Sequence, residues 1–220
     1  MFKKNNRRLM SLMLVLIMIT TLIPSSVFAS EGAEDASDAV ENAAAVWDGS
    51  INTDWDTNHE NDASYTLSTA EELAGLAQLV NDGTSFKGKT ITLGANIDLG
   101  GKEWTPIGTK EKLFIGTFDG NGKTVSNLKI TRGLENTTKN NCIGFFGAST
   151  SSANIQNFTL NNVNVSGSLQ VAAVLGESGV AEAKIDNVHV TGNVQISGWW
   201  YVGGIMGKGY STITNCSVEG

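Results

Sequence analysis

The side chains of this sequence that could do chemistry are few and widely spaced. Trp199-Trp200-Tyr201 sets three aromatic residues in a row behind Gly198. Rings held on a rigid exposed face stack against sugars through apolar area and ring electrostatics. The competing expectation is that one ring folds inward while the others cover a corner. His189 stands alone in a run of Val, Thr and Asn and reads as a solvated strand residue. His59-Glu60 begins like a zinc-protease helix, but Asn-Asp-Ala follows and the second His is missing. Asp119-Gly-Asn-Gly122 is too short for a calcium loop and reads as a turn. Asp186 and Glu219 lie near corners without an evident carboxylate partner. The sequence therefore predicts no catalytic residue, no cofactor and no metal ligand; Trp199, Trp200 and Tyr201 are the candidate ligand-binding residues.

What must position these residues is a repeat. Val125-Ser-Asn-Leu-Lys-Ile130, Ile155-Gln-Asn-Phe-Thr-Leu160, Ile185-Asp-Asn-Val-His-Val190 and Ile213-Thr-Asn-Cys-Ser-Val218 share one pattern. Gly144-Phe-Phe-Gly147, Ala173-Val-Leu-Gly176 and Gly204-Ile-Met-Gly207 interleave with it at the same period. Each Asn segment alternates apolar and polar residues, the mark of a strand with one buried face. Three short strands per repeat, separated by Gly, Asn and Ser, describe one coil of a right-handed parallel β-helix. Aligning the asparagines puts Asn127, Asn157, Asn187 and Asn215 in one row at a corner, where a left-handed backbone suits Asn and stacked amides pass hydrogen bonds from coil to coil. The paired glycines then mark tight turns. The same alignment places His189 with Lys129, Thr159 and Ser217 on the outer face. It puts Cys216 with Leu128, Phe158 and Val188, and Cys142 with Val171 and Val202, in the core. Two such cysteines are over two coils apart, roughly 10 Å at the β spacing, beyond the roughly 7 Å between Cα atoms that a disulfide allows. Both are expected to be buried free thiols.

Upstream, Ser68-Thr-Ala-Glu-Glu72 opens a helix with Thr69 as cap and Glu72 completing a capping box. Leu73, Leu76, Ala77 and Val80 form its apolar face and Asn81-Asp-Gly83 ends it. Such a helix covers the open core of a first coil, and Trp47 and Trp55 are expected to pack there too. Residues 47–110 are thus a cap with irregular first coils, and 111–220 the regular β-helix.

Residues 1–29 read as a secretory signal peptide: Lys3, Lys4, Arg7 and Arg8, an apolar run from Leu9 to Ile23, and Val27-Phe28-Ala29 before the cleavage point. Residues 30–46 read as an acidic flexible segment. Losing the leader takes the formal net charge from −7 to about −11, which disfavours nucleic acid as a partner. No second long apolar run follows, so no membrane span is expected in the mature chain, which is expected to be secreted or held at the cell surface. A solenoid needs a cap at each end. Val218-Glu-Gly220 begins a fresh repeat, so the expectation is a monomer or the N-terminal part of a longer chain.

Glu71-Glu-Leu-Ala-Gly-Leu-Ala-Gln-Leu-Val80, Ile97-Asp-Leu99, Trp104-Thr-Pro-Ile-Gly108 and Gly116-Thr-Phe-Asp-Gly-Asn-Gly122 occur in that order. Together with the Gly-x-x-Gly segments, they resemble the N-terminal region of bacterial surface proteins with GLUG repeats. Ala173 departs from that motif. The resemblance covers roughly residues 47–220 and implies an extracellular β-helix joined to adhesive or cell-wall-binding modules. Similar repeats precede the catalytic part of some immunoglobulin-A-cleaving metallopeptidases, whose zinc motif this sequence lacks. The reading that emerges is an adhesin-like, non-catalytic module that binds an extracellular glycan or a host or cell-wall surface, or acts as a rigid spacer. The alternative is a carbohydrate-active enzyme of the pectate-lyase-like type, which needs paired carboxylates on one outer face.

Overall fold

Short Asn- and Thr-rich stretches with one apolar face cannot bury that face alone, so they stack. In the computed structural model, which describes residues 46–179 and 183–220, stacked parallel strands build a β-solenoid. The leader lies outside the described residues, as does the acidic segment up to residue 45; Val46, at its end, bridges Asp98.

Strand β1 (Ser64–Leu67) precedes helix α1 (Ala70–Asp82), and β2 (Thr90–Leu93), β3 (Ile97–Asp98) and β4 (Thr117–Thr131) follow. Then come β5 (Phe146–Ser149), β6 (Asn154–Ser166), β7 (Leu169–Ala172), β8 (Leu175–Ser178) and β9 (Ala183–Ser197). The chain continues with β10 (Trp200–Gly203), β11 (Met206–Lys208), β12 (Ser211–Thr214) and β13 (Ser217–Val218). The main sheet runs β1-β2-β4-β6-β9-β12, with β3 on β4 and β13 on β9; β10 pairs with β7, and β11-β8-β5 form a third sheet. The strand pairs are parallel.

Helix α1 starts as its sequence requires: the Thr69 side chain accepts from the Glu72 N–H, and the Glu72 carboxylate accepts from the Thr69 N–H. Its Leu73, Leu76, Ala77 and Val80 are buried. Trp55 packs on Tyr65 and Phe86, whereas Trp47 meets Trp104 edge-on at 5.8 Å. Inside the coils, Phe118 meets Phe145, Phe146 and Phe158 at 5.3–5.8 Å between ring centroids.

The corners fall in three rows of left-handed residues. Asn121, Asn157, Asn187 and Asn215 form one, with φ between 51° and 59°. Gly100, Asn127, Asn162 and Gly192 form a second, and Cys142, Gln170 and Tyr201 a third. Asn tolerates this backbone better than most residues because its short amide bonds locally. The amides do form ladders: Asn187 donates to Asn157 (3.1 Å), Asn157 to Asp119 (3.1 Å), Asn162 to Asn127 (3.3 Å) and Asn127 to Asp98 (2.8 Å).

Three expectations of register need correction. Asn127 does not share a row with Asn157; Leu128 stacks on Val163 and Lys129 on Asn164. Each coil has two Asn corners, so Asn162-Val-Asn-Val165 matches Asn127-Leu-Lys-Ile130 as well as Asn157-Phe-Thr-Leu160 does. Cys142 aligns with Gln170 and Tyr201, one residue ahead of the Ile143, Val171 and Val202 row. It is buried, but at a polar corner rather than in the core, while Cys216 is half-buried against the core; both are free thiols. Finally, the repeated glycines are not left-handed turns, since positive φ is absent at Gly144, Gly147, Gly176, Gly204 and Gly207. A Cβ on Gly176 would lie 2.6 Å from the Cys142 carbonyl carbon and the Ile143 nitrogen, and one on Gly207 would lie 2.8 Å from the Tyr201 oxygen. At Gly176 and Gly207 the fourth residue is Gly because the corner peptide of the third row packs against it, while at Gly147 the Gly108 carbonyl oxygen comes nearest. Ala173 fits the first position without strain and is fully buried.

Candidate functional site

The third corner row carries the aromatic residues. Ser168 N–H donates to the Asn140 carbonyl (2.7 Å), and Trp199 N–H donates to the Ser168 carbonyl (2.8 Å). Asn140, Ser168 and Trp199 therefore form one column along a lateral edge, with Asn141, Leu169 and Trp200 beside it. Leu169 is half-exposed, so the Trp200 row faces outward. Gly198 allows the approach, since a Cβ there would come within 2.8 Å of the Val171 side chain.

All three rings point to solvent: Trp199, Trp200 and Tyr201 are 65%, 63% and 48% exposed. No ring folds inward. Trp199 and Trp200 stack at 6.0 Å with planes 27° apart, and Tyr201 follows at 6.3 Å and 68° from Trp200. Lys208 Nζ lies 4.9 Å from the Tyr201 ring centroid. Tyr201 holds φ 58°, a conformation costing a non-Gly residue about 1–2 kcal/mol. Part of the exposure beside this shelf belongs to the last described coil, where Val202, Ile213 and Val218 are also open.

On the same edge, at Asn140 and Asn141, a groove of about 650 Å³ opens, lined by Asn81, Thr105, Lys110, Arg132, Lys139 and Cys142 among others. Cys142 Sγ donates to Glu177 Oε2 (3.1 Å), which also accepts from Lys110 Nζ (2.9 Å). Burial, and then the Glu177 carboxylate, push the Cys142 thiol up to about 12. It is thus a thiol at neutral pH and a poor nucleophile. The Glu177 contact pushes Lys110 up. Arg132 is held by Glu103 at 3.1 Å.

The remaining candidates are bound into the ladders. His189 Nδ1 lies 2.9 Å from Ser217 Oγ and its Nε2 3.1 Å from Asn187 Oδ1. Asp186 accepts from Thr214 and Asn215, which hold its carboxyl below the usual range. Asp119 accepts from Gln156, Asn157 and the Asn121 N–H. His59 is exposed and pairs with Asp62 at 2.9 Å. Among the described residues no three His, Cys, Asp or Glu side chains cluster as metal ligands. No described helix is long and apolar enough to cross a membrane.

The groove was missed in the sequence because its walls come from separate segments near 105–111, 132 and 138–143. Its trace is the 35-residue step from Asn127 to Asn162, longer than the 30 residues from Asn157 to Asn187. The extra residues belong to the loop holding Lys139, Asn140 and Asn141.

No family model matches the chain. No solved structure matches it either. Over 157 residues it is 31% identical to halomucin of Haloquadratum walsbyi, a match covering 67% of this chain and 2% of halomucin. Over 158 residues it is 29% identical to a protein of Evansella cellulosilytica named as a Gly-rich membrane protein, covering 70% of this chain and 14% of that protein. The chain thus spans a small part of the length of these relatives.

Proposed function

We propose that this chain is a non-catalytic β-solenoid module of an exported or surface-held protein, and that it binds glycan through Trp199, Trp200 and Tyr201. The observation that carries the reading is the stacked, solvent-facing Trp199–Trp200 pair on a rigid corner. Rings of this size are ordinarily buried, and an exposed pair fixed by a strand ladder suits flat, partly apolar sugar faces. The non-catalytic part rests on the use made of the outward carboxylates: Asp119 and Asp186 serve as acceptors for ladder amides. The signal-like leader supports export, and the membrane-protein name of one relative accords with it. We assign the three Gly-x-x-Gly rows, which stack in register at Phe146, Leu175 and Met206, to GLUG-type repeats.

The test is tryptophan fluorescence during titration with a panel of soluble polysaccharides, using the parent and Trp199→Ala and Trp200→Ala. The expected result is a saturable response weakened about threefold to tenfold by either substitution, from the roughly 0.5–1.5 kcal/mol of an aromatic contact. Silence towards every polysaccharide, or identical titrations for parent and variants, removes the reading.

A further inference from the structure

We propose that the ligand is a neutral glycan held as a single chain, with about three of its sugar units lying on the row Trp199, Trp200 and Tyr201; this rests on the glycan reading above. The neighbouring groove takes no part, because its polar groups are already matched within the chain. Lys110 and Arg132 are paired with Glu177 and Glu103. The Asn81 amide donates to the Pro106 carbonyl, Asn140 to Glu135 and Asn141 to Asn136. Recognition falls to the shelf alone.

The shelf has little charge to offer a ligand. The stretch from Asn187 to Val218 contains no Asp or Glu and a single Lys, Lys208, whose Nζ stands over the Tyr201 ring. One exposed charge adds at most a few-fold to affinity. Over the chain, Asp and Glu outnumber Lys and Arg by 22 to 15, which works against a polyanion. What the shelf does offer is ring area and the polar groups of the rings. Trp47, Trp55 and Trp104 each donate the indole N–H to a backbone carbonyl. The indole N–H groups of Trp199 and Trp200 and the Tyr201 hydroxyl bond to no described residue, and all three rings are exposed. A sugar has the matching surface: a C–H face for the rings, and hydroxyls at its rim for the N–H and O–H groups.

Spacing and tilt give the form of the ligand. Successive ring centroids stand 6.0 and 6.3 Å apart, each step close to the length of one sugar unit. The planes turn by 27° and then by 68°, so the rings share no common plane. A flat crystalline face cannot lie on all three. A single chain that twists from unit to unit can follow them.

The experiment titrates the full chain, as parent, Trp200→Ala and Lys139→Gln, with two matched pairs: hydroxyethyl and carboxymethyl cellulose, and methyl-esterified and free polygalacturonate. Oligosaccharides of the neutral backbone that binds, and microcrystalline cellulose as a solid, complete the set. The neutral member of at least one pair is expected to bind at least as tightly as the acidic one, with affinity unchanged between about 0.01 M and about 1 M salt. Affinity is expected to climb about threefold to tenfold for each added sugar up to about three units and then to level off. Trp200→Ala is expected to weaken binding about threefold to tenfold, and Lys139→Gln, in the groove, to leave it unchanged. An acidic polymer bound tenfold tighter than its neutral partner, full affinity for a single sugar, or retention on crystalline cellulose alone overturns this inference and leaves the glycan reading standing. No binding of any polymer overturns both.

Discussion

Substituting Gly176 by Ala tests the packing of the third corner directly. Its φ is ordinary, so the penalty is steric and not conformational. The new Cβ would stand 2.6 Å from two backbone atoms of Cys142 and Ile143, and 2.8 Å from the Gly147 oxygen. Reaching an ordinary contact of 3.4 Å requires a shift of about 0.8 Å. The obstructing atoms are backbone: Cys142 N–H and Ile143 N–H donate to the Leu169 and Gln170 carbonyls. Overpacking of this kind costs about 1–3 kcal/mol, and rigid neighbours put it at the upper end. Subtracting the roughly 0.4–1 kcal/mol that Ala gains by restricting the unfolded chain leaves a loss of about 2 kcal/mol. For a domain of this size that is about 4–8 °C in Tm. Thermal and urea unfolding followed by far-UV circular dichroism measures it. Gly179→Ala is the control, because among the described residues its Cβ would meet Ser149 O alone, at an ordinary 3.6 Å; a small rise is expected. Ala173→Gly, at the first position of the same motif, is expected to lose about 1 kcal/mol through chain entropy. If Gly176→Ala melts at or above the parent, the close approach assigned to this row is wrong.

Asn187 combines φ 53° with an amide bonded to Asn157. Asn187→Ala should therefore lose about 1 kcal/mol more than Asn187→Gly, since Ala pays for the left-handed backbone; equal losses in urea would contradict that. Phe158→Lys sets a charge against Phe118 and Phe145, at 5.4 and 5.8 Å, and should cost several kcal/mol; an unchanged melting temperature would expel residue 158 from the core. Alkaline stability follows from two acids, since burial first, then nearby carboxylates, raise Cys142 from 9.0 and Tyr65 from 10.0, each to about 12. The unfolded chain ionises first, so their contribution is intact below about pH 9 and is lost as pH climbs towards about 12. The urea midpoint should fall across that window, less steeply in Cys142→Ala and Tyr65→Phe; a flat profile in the parent would refute the assignment.

Local rules carried the reading of helix α1 and the coils, because a capping box and a period of two are written in neighbouring residues. Register was harder. Asn127 matched two equivalent corners, and only the stacking of Leu128 on Val163 distinguishes them. Cys142 looked apolar by alignment, but a one-residue shift moved it to Gln170 and Tyr201 and gave it a carboxylate neighbour. Glycine in Gly-x-x-Gly suggested turns because φ freedom is its familiar use, whereas close approach depends on a neighbouring coil invisible to local pattern. The aromatic shelf was visible as Trp199-Trp200-Tyr201, though its outward facing followed only from Trp200 standing over Leu169. Lys110, Arg132 and Lys139 meet solely through coil stacking, so no motif announced them.

The stacking of Ile155 on Ile185 has a consequence for how such a chain can change over evolutionary time. Excising residues 155–184 would bring Ile185 to the place of Ile155 with every inward side chain still inward. The shelf would then move toward the groove by a single layer of about 4.8 Å. Distances along the edge are thus quantised, and whole-coil duplication or loss becomes a ruler. It would reset the spacing of surface features along the edge without redesigning any of them.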